Sequence, residues 1–179
     1  MLILLPPSET KRSGGVGISI DKAAIIWAAL DPTREAVIQA LEKVSKKPAD
    51  AAKALGLGKK SIAEAEKNLS LWTSPTMPAL ERYTGTLYDA MDYPTLPEVA
   101  IRRAGEQLFI QSALFGLVPA LEQIPDYRLS AESKLPGLSL KKLWPEAHKL
   151  VWPRLRGPIL DLRSESYVAL NPIPPEYES

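Results

Sequence analysis

The feature that most constrains the fold is the start of the chain, where five apolar residues, Met1 to Leu5, run directly into Pro6 and Pro7. A short apolar run stopped by prolines is typical of a strand buried on both faces. Such strands need covering layers above and below them. The sequence therefore predicts a mixed α/β fold in which helices surround a central sheet of short buried strands. At 179 residues, we expect one domain spanning 1–179.

The residues after this first run are dense in reactive groups. Ser8, Glu9, Thr10 and Lys11 follow the prolines, and a Ser-Gly-Gly turn comes shortly after them. In open α/β sheets, ligands bind at the carboxyl ends of strands. This loop is thus a candidate site. The alternative is a surface turn in which Ser8 or Thr10 only caps the following residues.

A second apolar run, 158–162, has the same character and leads into another polar loop, 163–167. We expect residues 2–5 and 159–162 to lie in one sheet and their loops to meet at one pocket. An enzyme acting there on a nucleotide-like or other anionic small molecule is one candidate function, in which a Lys beside a Glu could serve as a base or as an anion anchor. Whether the protein is catalytic stays open. The candidate catalytic residues are Ser8, Glu9, Lys11, Arg163, Ser164 and Tyr167.

A helical hairpin is predicted over residues 49–69, where two helical stretches flank a Leu-Gly-Leu-Gly turn. The pattern resembles the helix-hairpin-helix element of DNA-binding modules. Its glycines would let a phosphate approach the backbone, and Ser61 with Glu64 would form a capping box at the next helix. A helical hairpin with a glycine cap is also a common structural device. The residues predicted to bind double-stranded DNA, independently of base sequence, are Gly56, Gly58, Lys59, Lys60 and Ser61.

Composition narrows the remaining classes of function. The formal charge of +1 gives no global footprint for nucleic acid, so DNA binding needs a local patch. The absence of cysteine excludes thiol chemistry, and the single histidine, His148, is expected at the surface. We expect no metal and no cofactor. No apolar run approaches the ~20 residues of a membrane span and no signal peptide is evident, so we expect a cytoplasmic protein without a membrane partner. The oligomeric state stays open.

Five ordered blocks of sequence resemble the bacterial YaaA-like peroxide-stress family in its actinobacterial form. The resemblance covers nearly the whole chain, and it implies a protein that limits oxidative damage and binds DNA through a helix-hairpin-helix-like element. The blocks are Met1–Gly15, Tyr83–Tyr93, Ser112–Ser130, Leu143–Trp144 and Leu160–Tyr167.

The resemblance also implies that Tyr83, Gly85 and Tyr88 line a ligand pocket. Thr10 from the first loop and Arg128, as an anion-binding cation, complete that predicted pocket. The tyrosines could instead be core residues, and Arg128 could pair with a surface carboxylate.

Members of the family are longer than this chain, so we expect a truncated member with an unpaired strand edge and some exposed apolar surface. Two further elements are predicted from local patterns. Residues 108–115 should form a third buried strand that ends at Gly116. Asp31 should cap an amphipathic helix over Pro32–Lys46.

Overall fold

The computed structural model describes residues 1–17, 19–20 and 25–177. Two sheets are present in this part of the chain. A small antiparallel ribbon pairs β2 with β5, and the main sheet has the order β4-β3-β1-β6. β1 runs parallel to β3 and β6, whereas β4 is antiparallel to β3. The strands are β1 (Leu2–Leu5), β2 (Met77–Pro78), β3 (Leu108–Ser112), β4 (Gly116–Pro119), β5 (Gln123–Ile124) and β6 (Ile159–Asp161).

Helices surround the main sheet, which confirms the predicted mixed α/β class. Within the described ranges, none of these helices combines the length and apolar character that a membrane crossing requires. The α-helices are α1 (Asp31–Ser45), α2 (Pro48–Leu55), α3 (Ala79–Arg82), α4 (Thr86–Met91), α5 (Glu98–Gln107), α6 (Leu140–His148) and α7 (Glu165–Val168). Short 3-10 helices cover Ala28–Leu30, Ile62–Leu69, Tyr93–Thr95, Trp152–Arg154 and Pro175–Tyr177.

The two apolar runs pair in one sheet, as predicted. Leu2 lies opposite Ile159 in the parallel ladder of β1 and β6. β1 has a neighbour on each side and buries Leu4 and Leu5 almost fully. The predicted burial of the second run is wrong, because β6 is an edge strand and Leu160 is 43% exposed.

The predicted strand over 108–115 is instead a β-hairpin. β3 ends at Ser112, whose hydroxyl oxygen accepts hydrogen bonds from the backbone N–H groups of Leu114 and Phe115 and so turns the chain. β4 then begins at Gly116, which has a φ of +74°. A Cβ at Gly116 would lie 2.8 Å from the Trp144 ring, so this position requires glycine.

Helix α1 is amphipathic, as predicted, and buries Val37, Leu41 and Val44. Asp31 belongs to its first turn and does not act as the predicted N-cap. Its carboxylate accepts a hydrogen bond of 2.8 Å from the buried Arg34. That guanidinium needs a carboxylate partner inside the fold, and this interaction replaces the capping bond.

His148 lies in the core, so its predicted surface position is wrong. The residue is 1% exposed. Its Nε2 accepts a hydrogen bond of 3.2 Å from the backbone N–H of Leu117, and its Nδ1 lies 2.7 Å from the Trp144 carbonyl oxygen. Burial lowers the pKa of His148 to about 4. The imidazole therefore stays neutral at pH 7 and joins α6 to β4 through its hydrogen bond with Leu117.

Candidate functional site

The loop after β1 leaves the edge of the sheet at which the parallel strands β1, β3 and β6 all end. Residues 82–84 form the wall against which this loop packs. The backbone N–H of Thr84 donates to the Thr10 carbonyl oxygen at 3.2 Å, and the N–H of Arg12 donates to the Arg82 carbonyl oxygen at 2.8 Å. Lys11 is thereby held opposite Tyr83.

Several predicted pocket residues meet along this wall. The hydroxyl oxygens of Ser8 and Thr10 lie 3.1 Å apart, and a Cβ at Gly85 would lie 3.4 Å from the Ser8 oxygen. The Tyr88 hydroxyl donates to the Pro6 carbonyl oxygen at 2.6 Å. We call this group the sheet-edge cluster, and its members are Ser8, Glu9, Thr10, Lys11, Tyr83, Gly85, Tyr88, Ser112, Tyr127 and Arg128.

The Lys11 amine lies among aromatic faces and backbone carbonyls. Its Nζ is 4.3 Å from the ring centroid of Tyr127 and donates to the Ser8 carbonyl oxygen at 3.1 Å. The two carboxylates nearby are held by other cations. Glu9 pairs with Arg128 at 2.7 Å, and Asp126 pairs with Lys67 at 2.9 Å.

Burial lowers the pKa of Lys11 to about 7. The charge on Asp126 opposes this shift, whereas the charges on Arg128 and Lys67 reinforce it. A lysine normally titrates near pH 10.5. At neutral pH, a substantial fraction of the Lys11 side chain therefore exists as a neutral amine.

A directed chain of hydroxyl groups lies beside this amine. Because the Ser112 oxygen accepts two backbone N–H groups, its own proton points to the Tyr127 hydroxyl at 2.8 Å. Tyr127 then donates to Tyr83 at 2.7 Å. Burial raises the pKa of both tyrosines, so both remain protonated at neutral pH. Tyr83 ends the chain as the acceptor of this hydrogen bond.

The loop after β6 approaches the cluster through Tyr167. Burial raises the pKa of Tyr167 to about 12, and its hydroxyl is near enough to Glu9 and Arg128 to interact electrostatically with both. Arg163 turns away and donates to both carboxylate oxygens of Asp161, at 2.8 and 2.7 Å. Ser164 is exposed, and its hydroxyl lies 3.2 Å from that of Ser166. The predicted catalytic roles of these three residues stay predictions.

A cavity of about 160 Å³ lies beside the cluster and is lined in part by Tyr83 and Tyr88. Its charged residues are Arg12 and three acidic residues, so this cavity alone does not favour an anion. Within the described residues, no group of three or more His, Cys, Asp or Glu side chains is arranged to hold a metal ion. The acidic lining residues are Glu81, Asp89 and Asp92.

The turn of the predicted hairpin follows α2, whose C-cap residue Gly56 adopts the left-handed conformation with a φ of 65°. A Cβ at Gly56 or at Gly58 would meet no atom within 4 Å, so the backbone of the turn is open to solvent. Lys59 and Lys60 are exposed. Residues 46–67 carry six lysines against three carboxylates, although the whole chain has a formal charge of only +1.

The second helix of the hairpin, Ile62–Leu69, is a 3-10 helix. The predicted capping box at its start is wrong. The Ser61 hydroxyl donates backward to the Gly58 carbonyl oxygen at 3.3 Å, and no side chain caps the helix. The Ser61 hydroxyl therefore stabilises the turn and does not cap the helix.

The hairpin and the sheet-edge cluster are joined through Asn68. This buried amide donates to the Ser45 hydroxyl and to the Arg128 carbonyl oxygen, and its own oxygen accepts the Arg128 N–H at 2.8 Å. Sequence reasoning missed Asn68, Ser112 and Tyr127 as parts of the site. The last two lie in the family block 112–130, so the resemblance contained the signal for them.

A comparison with protein families decides the relationship. The family model described as peroxide stress protein YaaA matches residues 1–175. The chain belongs to this family. YaaA-family relatives include a UPF0246 protein of Corynebacterium glutamicum, which is 42% identical over 176 residues and covers 96% of this chain. A UPF0246 protein of Streptomyces coelicolor is 40% identical over 173 residues and covers 94% of the chain. The match spans 69% of the first relative and 66% of the second.

Proposed function

We propose that this peroxide-stress protein limits oxidative damage by binding duplex DNA through the hairpin at 49–69, without reading the base sequence. The observation that carries the proposal is the open turn. Gly56 and Gly58 leave the backbone free of side chains, and Lys59 and Lys60 project beside it into solvent. A phosphate can approach such a backbone closely and meet two ammonium groups there.

The charge of the segment around the hairpin supports the same partner. Residues 46–67, which begin three residues before the hairpin, carry a formal net charge of +3, whereas the rest of the chain carries −2. A local basic surface is what backbone-directed binding requires when the net charge of a protein is small. Because phosphate contacts carry no base information, we expect similar affinity for different duplexes.

Fluorescence anisotropy with labelled duplexes tests this function. The test variant replaces Lys59 and Lys60 with Ala, and the matched control replaces Lys141 and Lys142, an exposed adjacent pair on α6. We expect the hairpin variant to bind several unrelated duplexes more weakly by a common factor, and the control to bind as the parent does. A hairpin variant with parental affinity would show that the turn is only structural.

A second candidate function is action on an anionic small molecule at the sheet-edge cluster. The observation that favours it is the amine of Lys11, whose pKa is lowered to about 7 at the carboxyl ends of parallel strands. Strongly perturbed groups at such positions are frequent in active sites. Thermal-shift screening with nucleotides and sugar phosphates tests this function. We expect a ligand to stabilise the parent but not a Lys11→Met variant.

A further inference from the structure

The amine of Lys11 lacks the carboxylate partner that would keep a buried lysine charged. Glu9 and Asp126 are each paired with another cation, and the Lys11 amine donates to backbone carbonyls instead. With a pKa of about 7, roughly half of the Lys11 side chains are neutral at pH 7, which is about a thousandfold more than for a lysine titrating at 10.5. A neutral amine is a nucleophile.

Buried hydroxyl groups and an exposed loop lie next to this nucleophile. Tyr83, whose ring centroid is 5.3 Å from Nζ, ends the hydroxyl chain that starts at Ser112. The adjacent residues Glu9 and Thr10 are exposed, and Lys11 itself is only partly buried. The amine thus lies between buried tyrosine rings and a loop that is open to solvent, from which a small carbonyl group would approach it.

A cation lies close to this amine. Arg128, whose side chain is 15% exposed, pairs with the Glu9 carboxylate, whose side chain is 63% exposed, and also donates to the Glu9 carbonyl oxygen. Because the carboxylate of this pair is open to solvent, an incoming anion can compete with Glu9 for Arg128. The site thus offers a nucleophile and a cation within one cluster.

We propose that the Lys11 amine forms an imine with an aldehyde that carries a negative charge. Nζ attacks the carbonyl carbon and forms the C–N bond, the carbonyl C–O bond breaks, and the oxygen leaves as water. In the net reaction both hydrogens of that water come from the amine, and no oxidant or reductant is consumed. Imine formation requires the sheet-edge cluster to be a ligand site, and so rests on the second function proposed above.

Such an aldehyde has two chemical sources, a free sugar phosphate and an abasic site in DNA. The structure gives the second source a physical basis. The hairpin helix Ile62–Leu69 runs from the lysines of the turn to Asn68, which contacts Arg128. Eight residues of 3-10 helix span roughly 16 Å. A duplex held at the turn could thus present a nearby nucleotide to the cluster.

Borohydride trapping tests the proposal, because reduction converts an imine into a stable secondary amine. The full chain is incubated with glyceraldehyde 3-phosphate, with a duplex containing one abasic site, or with propionaldehyde as an uncharged control, and then reduced. Adducts are quantified by intact mass and located by peptide mapping. Mapping in the parent protein needs no variant, and it separates Lys11 from the competing N-terminal amine of Met1. The variants are Lys11→Arg, Lys11→Met and, as a matched control, Lys142→Arg.

We expect an adduct on Lys11 with at least one anionic aldehyde, at least tenfold more of it than with propionaldehyde at equal concentration, and its loss in both Lys11 variants but not in Lys142→Arg. Adducts spread over exposed lysines, or found on Met1 alone, would overturn the proposal. The Lys59/Lys60 double Ala variant separates the two functions. If it abolishes the duplex adduct and keeps the sugar-phosphate adduct, both the hairpin and Lys11 act as proposed. If it leaves the duplex adduct unchanged, the imine stands and the DNA-binding role of the hairpin fails.

Discussion

The buried neutral imidazole of His148 predicts a loss of stability in mild acid. Burial, reinforced by the charges on Arg163 and Arg34, holds its pKa at about 4, whereas the group titrates at 6.5 when exposed. The unfolded state therefore binds more protons between these two values, and stability falls as the pH drops below 6.5. From pH 7.5 to pH 5.0, the two pKa values give a loss of about 2 kcal/mol in the free energy of unfolding.

Urea unfolding at the two pH values measures this loss. A His148→Gln variant is the reference, because its amide can still accept the hydrogen bond from Leu117 but does not titrate. We expect the parent to lose about 2 kcal/mol more than the variant between pH 7.5 and pH 5.0. Proton NMR gives an independent measurement, since the chain contains one histidine. An imidazole resonance that titrates near pH 6.5 in the folded protein, or an equal loss of stability in parent and variant, would refute the reasoning.

Three further predictions concern the cluster and its link to the hairpin. Because the pKa of Lys11 is lower in the folded state, the free energy of unfolding of the parent should rise by about 2 kcal/mol more than that of Lys11→Met between pH 7 and pH 9. An equal pH dependence of the free energy of unfolding in both proteins would contradict this. Tyr127→Phe leaves the Ser112 hydroxyl without its acceptor and the Tyr83 oxygen without its donor, and should lower the free energy of unfolding by about 1–3 kcal/mol in urea unfolding, whereas an unchanged free energy would mean that the hydroxyl chain does not stabilise the fold. Asn68→Ala should lower the free energy of unfolding by about 3 kcal/mol and speed hydrogen exchange at the backbone amide of Arg128. Parental protection of that amide would show that Asn68 does not stabilise the segment at Arg128.

The sequence predicted those parts of the fold that local patterns determine. The apolar run at 2–5 is stopped by prolines and the run at 159–162 by a polar loop, and the two runs pair in one sheet. Which of them occupies the edge depends on the strand order, and that order is set by contacts between distant segments. The partial exposure of β6 was therefore outside the reach of local reasoning.

The environment of His148 shows a second limit. Its neighbours at 146, 147 and 149 are mostly charged and suggest a surface position. Helical periodicity instead places residue 148 on the same face as Trp144, four residues earlier, and that face packs against β4. Counting by helical turns would have found this position.

The loops of the candidate site were predicted from the sequence, but its buried residues were not. Ser8 and Thr10 lie in the loop after β1 beside Gly85, and Lys11 lies opposite Tyr83. Tyr127 and Asn68 reach the cluster only because the chain returns to it after more than 40 residues, and no local pattern encodes such a return. The hydroxyl chain and the hydrogen bonds between Asn68 and Arg128 both join segments that are distant in the sequence.

The salt dependence of duplex binding is the most direct test of the proposed DNA contact at Lys59 and Lys60. Each lysine that meets a phosphate contributes about 0.9 to the slope of log affinity against log salt concentration. We predict that the Lys59/Lys60 double Ala variant flattens this slope by up to about two units, whereas the Lys141/Lys142 variant keeps the parental slope. A hairpin variant with the parental slope would contradict the account.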